Sequence, residues 1–196
     1  MSTKKFDPAS NIQRLEQFGE FGDVNPSITD SSTFTFMKAQ TMLDTFHGEA
    51  EGCFLYSRHW NPSNKYLADA LAAMEGTESA WVTGSGMGAI TTAMLQLCSA
   101  GDHIVTSVTT YGGTYAFLKN YLPKFNISVS FVNISDLESV EAAIQPNTKL
   151  LYLETPANPT IALTDIKKAS EIAHKKGILV VVDNTFCSPY LQKPLD

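Results

Sequence analysis

Cysteine is scarce: Cys53, Cys98 and Cys187 are the three in 196 residues, widely spaced and without a CxxC pair. That excludes a disulfide framework and a cysteine zinc site, and the thiols read as reduced packing residues. The four histidines, His47, His59, His103 and His174, lack an HxxxH spacing, so no metal is expected. No apolar run approaches the roughly 18 residues that would span a bilayer. The opening "MSTKKFDPASNIQRLEQ" has no apolar core of the signal-peptide kind, so the expected location is cytoplasmic, with no membrane partner. Basic residues are outnumbered 14 to 20, for a net charge of -6, and the lysines form no stripe. Such a surface repels phosphate backbones, and nucleic acid is not expected as a partner. Internal repeats and low-complexity tracts are absent too. What is present, 43% hydrophobic and 17% charged residues, allows one fair-sized globular core.

The chain divides by texture. Residues 1–60 contain "FGDVNPSITDSSTFTF" and "FHGEAEGCFLYSRHW", where aromatics, glycines and hydroxyl residues mix without a helical or strand period. We read this stretch as an extended arm whose Phe34, Phe36, Phe46, Phe54, Tyr56 and Trp60 need cover from a neighbouring domain or a second subunit. From residue 61 the pattern is regular. "NPSNKYLADALAAMEG" places Tyr66, Leu67, Ala70, Leu71 and Met74 on one helical stripe, opened by Asn and Ser and closed by Gly76. Then follow strand "SAWVT", turn "GSGMG", helix "AITTAMLQLCSA", strand "HIVTSV", helix "TYAFLKNYL", strand "ISVSFVN" and helix "DLESVEAAI". Strand "KLLYLE", helix "DIKKASEIAHKK" and strand "ILVVVD" complete the series. This alternation predicts an α/β fold with a mostly parallel sheet, helices on both faces and ligands at the carboxyl ends of the strands. Ile178 to Val182 carry no polar alternation, so that strand is predicted to be covered on both faces, with Asp183 at the rim of the core.

"TGSGMGA" follows a predicted strand and opens a helix, a place where backbone N–H groups and the helix dipole converge on an anion. Gly84, Gly86 and Ala89 fit G-x-G-x-x-G/A, the fingerprint of dinucleotide binding. That reading also needs an acid at the end of the next strand, but "HIVTSVTT" ends in threonines. A P-loop would need a Lys after the glycines, and a nucleophile elbow a Ser where Gly86 stands. On the glycines alone, a ligand-free strand-to-helix turn is an equal alternative. The combination narrows the choice: one phosphate site, an aromatic in "TTYGGT" and the half-buried Asp183 suit a flat, phosphorylated, cationic heterocycle. Pyridoxal phosphate has these properties, and Asp183 would pair with its protonated ring nitrogen.

With "NPSI", "YSRHWNPS", "GSGMGAI", "YGGTY", "ETPANP" and "VVVDNTF" in this order, the chain resembles the trans-sulfuration (Cys/Met metabolism) family of pyridoxal-phosphate enzymes. That family includes cystathionine gamma-synthase, cystathionine lyases, O-acetylhomoserine sulfhydrylase and methionine gamma-lyase. The resemblance implies a fold type I (aspartate aminotransferase-like) large domain, here partial over 61–196, preceded by the 1–60 arm. It implies that Tyr56 and Arg58 reach the cofactor phosphate of a neighbouring subunit, and that Gly86 and Met87 cradle the phosphate with their backbone. By the same resemblance Tyr111 stacks on the ring and assists proton transfer, Asn158 binds the phenolic oxygen, Asp183 the ring nitrogen, and Thr185 supports the ring from below. Glu154 reads as a structural strand-end acid.

The resemblance further implies elimination or replacement at the gamma or beta carbon of sulfur amino-acid substrates, by a homotetramer of two active-site dimers. Methionine gamma-lyases place a Cys where this chain has Gly113, which points toward synthase, sulfhydrylase or cystathionine-lyase chemistry. The family's Schiff-base lysine and C-terminal domain are expected beyond Asp196, as a further polypeptide or remainder. Two alternatives stand beside this one: an inactive fragment without that lysine, binding phosphate or a partner subunit, and a dinucleotide-binding domain.

Overall fold

The computed structural model describes residues 26–196. Two compact units divide between Val82 and Thr83. In the first, helix α1 (Ala39–His47) stops at Gly48, whose φ of 74° is left-handed, a conformation glycine adopts without Cβ strain. Helix α2 (Pro62–Glu75) starts from Asn61, whose side chain accepts from Ser63 N at 2.9 Å, and ends at Gly76. Both ends follow from the sequence. Its most buried residues are Ala68, Ala70 and Ala72, while Leu67 is exposed, so small side chains rather than the expected large apolar stripe make the closest approach.

Ser27 and Thr29 are tied to the start of α2 through Ser63 Oγ and Asn61 Nδ2, and Thr33 bridges Tyr56. The arm aromatics Phe34, Phe36, Phe46, Phe54, Tyr56 and Trp60 line one groove, and Phe46 stays largely exposed. The predicted strand 79–83 is not formed. An apolar run becomes a strand only against a ladder partner, and among the described residues none pairs with it.

The second unit opens with helix α3 (Gly86–Leu97) and is built on strands β1 (His103–Ser107), β2 (Ser128–Val132), β3 (Thr148–Glu154) and β4 (Leu179–Asp183). All pairs are parallel, in the order β2-β1-β3-β4. Between the strands lie α4 (Gly112–Ala116), α5 (Leu137–Ala143) and α6 (Ile166–His174), and α7 (Ser188–Leu191) follows β4. The period of two along a strand sends Ile104, Leu150 and Tyr152 to one face, where they pack with Met94, Leu118 and Leu122. Val105, Leu151 and Leu153 point to the other, against Val140, Ala169 and Ala173. Helices therefore cover both faces, as the alternation predicts.

Two local expectations change. The helix predicted over "TYAFLKNYL" is α-helical only to Ala116, then widens to a π-turn at Phe117–Tyr121 and tightens to a 3₁₀ turn at Leu122–Phe125. Pro123 lacks an N–H to continue the regular ladder. Among the described residues the interior strands β1 and β3 are the buried ones, whereas β4 pairs with β3 alone and its Leu179 is 45% exposed. Hydrophobic content alone does not distinguish the two positions. Among the described residues no helix is long and apolar enough to cross a membrane, and no group of three metal-ligating side chains occurs.

Candidate functional site

The carboxyl ends of β3 and β4, the loop after β1 and the start of α3 enclose a cavity of about 370 Å³. Its lining includes Gly86, Met87, Tyr111, Asn158, Asp183 and Thr185, six of the eight residues singled out from the sequence. The other two, Tyr56 and Arg58, lie in the first unit. There the exposed Arg58 guanidinium sits 5.3 Å from the centre of the Tyr56 ring.

The glycine turn is built for an open helix start. Ser85 caps α3 by accepting from Gly88 N at 3.0 Å, and Thr83 Oγ1 donates to Ser85 O at 2.8 Å. The N–H groups of the first helical residues have no intrahelical partner, and a Cβ at Gly86 would meet no atom within 4 Å. Backbone donors and the positive end of the dipole thus face space that an anion can enter.

Asp183 ends β4 in register with Glu154 of β3. Its Oδ1 accepts from Thr185 N at 3.1 Å and from Thr185 Oγ1; its Oδ2 accepts from Tyr152 OH at 3.0 Å. Tyr152 is fully buried, and burial, followed by the Asp183 charge, pushes its phenol far above the usual tyrosine range. It stays a neutral donor. A carboxylate offers about four lone-pair sites, so three donors leave it room for one more, and a cationic N–H is the strongest candidate.

Glu154 also gathers three donors, here from two loops. Its buried carboxylate accepts from Thr110 Oγ1 at 2.6 Å, Tyr111 N at 2.7 Å and Asn158 N at 2.8 Å. The hydroxyl of Tyr111 and the side-chain amide of Asn158 keep no hydrogen-bond partner among the described residues. Tyr111, 46% exposed, presents a ring to the cavity, whose apolar wall is completed by Ile90, Pro156 and Phe186.

This set fits a flat phosphorylated cation: backbone donors, an under-saturated carboxylate, free amide and phenol groups, and apolar walls line one space. Tyr152 and Thr110 stand in none of the roles read from the sequence, whereas Glu154 ends β3 as the strand-end acid expected there and also lines the cavity. The signal available was the period of two, which puts Tyr152 and Glu154 on the same face of β3.

Comparison with known proteins decides the relationship. The Cys/Met metabolism PLP-dependent enzyme family matches residues 9–196. The chain belongs to that family. It is 47% identical over 194 residues to the methionine gamma-lyase of Arabidopsis thaliana, and 42% identical over 183 residues to the O-succinylhomoserine sulfhydrylase of Pseudomonas aeruginosa. These alignments cover 96% and 93% of the chain but 44% of each relative, so the chain spans a little under half their length. Cystathionine gamma-lyase from Lactobacillus plantarum, solved with L-serine, superposes with a TM-score of 0.84 at 36% identity, over 98% of this chain and 48% of that one. A Campylobacter jejuni structure carrying N'-pyridoxyl-lysine-5'-monophosphate superposes with a TM-score of 0.87 at 31% identity, over 97% of this chain and 47% of that one. The fold is therefore fold type I, and pyridoxal phosphate is the family's cofactor.

Proposed function

We propose that this chain supplies the cofactor-holding part of a pyridoxal-phosphate-dependent trans-sulfuration enzyme. The observation that carries this reading is Asp183, held by three donors with room for a fourth, on the cavity that the start of α3 also lines. Bound pyridoxal phosphate would supply a protonated ring that accepts the electron pair left when an amino acid loses its α proton. The backbone N–H groups of Gly86 and Met87 bind the phosphate. Asp183 keeps the proton on the ring nitrogen, with Tyr152 and Thr185 fixing its two oxygens. Asn158 donates to the phenolic oxygen, Thr185 supports the ring, and Tyr111 stacks on it and holds or passes a proton at its phenol oxygen.

The reaction proposed is elimination or replacement at the gamma or beta carbon of homoserine esters, cystathionine or methionine-like substrates. Tyr56 and Arg58 serve the phosphate of a neighbouring copy, within a tetramer of two active-site dimers. Of the 1–60 arm, residues 26–60 are described, and they carry Tyr56 and Arg58. A planar guanidinium matches phosphate oxygens two at a time, which suits an exposed Arg58. The lysine that moves the α proton is assigned to sequence beyond Asp196, and a cytoplasmic location goes with the reading.

Asp183→Ala tests it in the full-length enzyme. Turnover of methionine, cystathionine and homoserine esters should fall by about 10²-fold or more, the usual loss when a preorganised charge is removed, and the absorption of the bound cofactor should change. Parent-like rates on every substrate would overturn the assignment.

A further inference from the structure

Glu154 is 5% exposed, and a carboxyl group so far from water needs its hydrogen-bond partners from the protein. Three donors from two separate loops supply them. Thr110 and Tyr111 precede α4, Asn158 follows β3, and the bond to Tyr111 N spans 43 residues of sequence. We propose that Glu154 is a positioning residue, whose one buried carboxylate fixes Tyr111 and Asn158 together at the cavity so that both side chains meet the cofactor. The proposal rests on the reading of that cavity as the cofactor site.

The geometry separates this role from simple filling of the core. Each loop is gripped by a backbone N–H, Tyr111 N at Oε2 and Asn158 N at Oε1. The phenol and the amide beyond them stay available to a ligand. A glutamine has the same size but one acceptor oxygen. Turned toward Thr110 and Tyr111, it presents its NH₂ to the N–H of Asn158, and two donors face each other. Glu154→Gln therefore releases the Asn158 loop while retaining the Tyr111 loop. Glu154→Asp, one methylene shorter, does not reach both loops and gives no rescue.

The test is a double-mutant cycle in the full-length enzyme, with Glu154→Gln, Asn158→Ala and the pair, read by the dissociation constant for pyridoxal phosphate and the visible spectrum of the bound form. Glu154→Gln should weaken binding by about tenfold, the lower end for losing one hydrogen bond to a charged acceptor. It should also shift the spectrum in the direction Asn158→Ala does. The pair should bind within about twofold of Asn158→Ala alone, because residues that act through one another are not additive. Affinity and spectrum unchanged in Glu154→Gln, even with a lower melting temperature, would overturn the proposal, and so would effects that simply multiply. Should the variants fail to fold, hydrogen exchange in the unsubstituted enzyme decides: the Tyr111 and Asn158 amides must be protected, and fast exchange at either refutes the clamp. Loss of cofactor binding by the parent itself would remove the site reading and the clamp together, whereas a binding parent with an indifferent Glu154→Gln removes the clamp alone.

Discussion

Gly113→Ala sets two effects of known sign against each other. A Cβ at this position would lie 2.6 Å from Tyr111 Cε1, 3.1 Å from Met87 Sδ and 3.3 Å from Tyr111 Cδ1. Carbon pairs rest at about 3.5–4.0 Å, so the ring must retreat by roughly 1 Å. Tyr111 is 46% exposed, and a half-exposed ring swings away at little cost in packing. Gly113 lies in α4 with no left-handed φ, and alanine in a helix is favoured over glycine by up to about 1 kcal/mol. Stability should therefore change by no more than about 1 kcal/mol in either direction.

The cofactor side should respond differently. Losing the stacking position proposed for the ring would remove about 0.5–1.5 kcal/mol, so pyridoxal phosphate should bind roughly two- to tenfold more weakly. Denaturant unfolding and a cofactor titration on the same preparation separate the two quantities. A destabilisation above about 3 kcal/mol would show that the ring is rigidly held, and unchanged affinity with Tyr111 in its original place would show that Gly113 does not control it. Either result refutes the reasoning.

The remaining predictions concern groups away from the cavity. His103, 1% exposed, has its ring nitrogens bonded to Thr148 Oγ1 at 2.7 Å and Ser130 Oγ at 2.9 Å, and burial lowers its pKa below 6.5. The unfolded chain then takes up a proton that the folded state resists, so stability is retained above about pH 6.5 and falls as the pH drops below it, by at most about 1.4 kcal/mol per unit. Denaturant unfolding of parent and His103→Gln across this range should diverge with pH, and parallel curves would refute it. Burial, helped by the Asp102 charge, pushes the Cys98 thiol up to about 11. Under native conditions near neutral pH it should be the slowest of the three cysteines to react with a thiol reagent, becoming reactive on unfolding; labelling of Cys98 ahead of Cys53 and Cys187 would contradict this.

The sequence by itself determined the parallel α/β character, because apolar runs and helical periods alternate, and the ends of α2, because Asn61 and Gly76 carry their capping chemistry with them. It also determined the open helix start after Ser85, a matter of residues a few positions apart. It did not determine which apolar runs become strands: among the described residues 79–83 has no ladder partner, and the run ending at Asp183 pairs with β3 alone while β1 and β3 lie inside the sheet. Nor did it reveal what holds Asp183 and Glu154. Their decisive partners, Tyr152 and Tyr111, lie 31 and 43 residues away along the chain, and only the parallel pairing of β3 with β1 and β4 brings them within hydrogen-bond range. Local chemistry is written in neighbouring residues, whereas a buried charge is satisfied by whatever the tertiary fold places beside it.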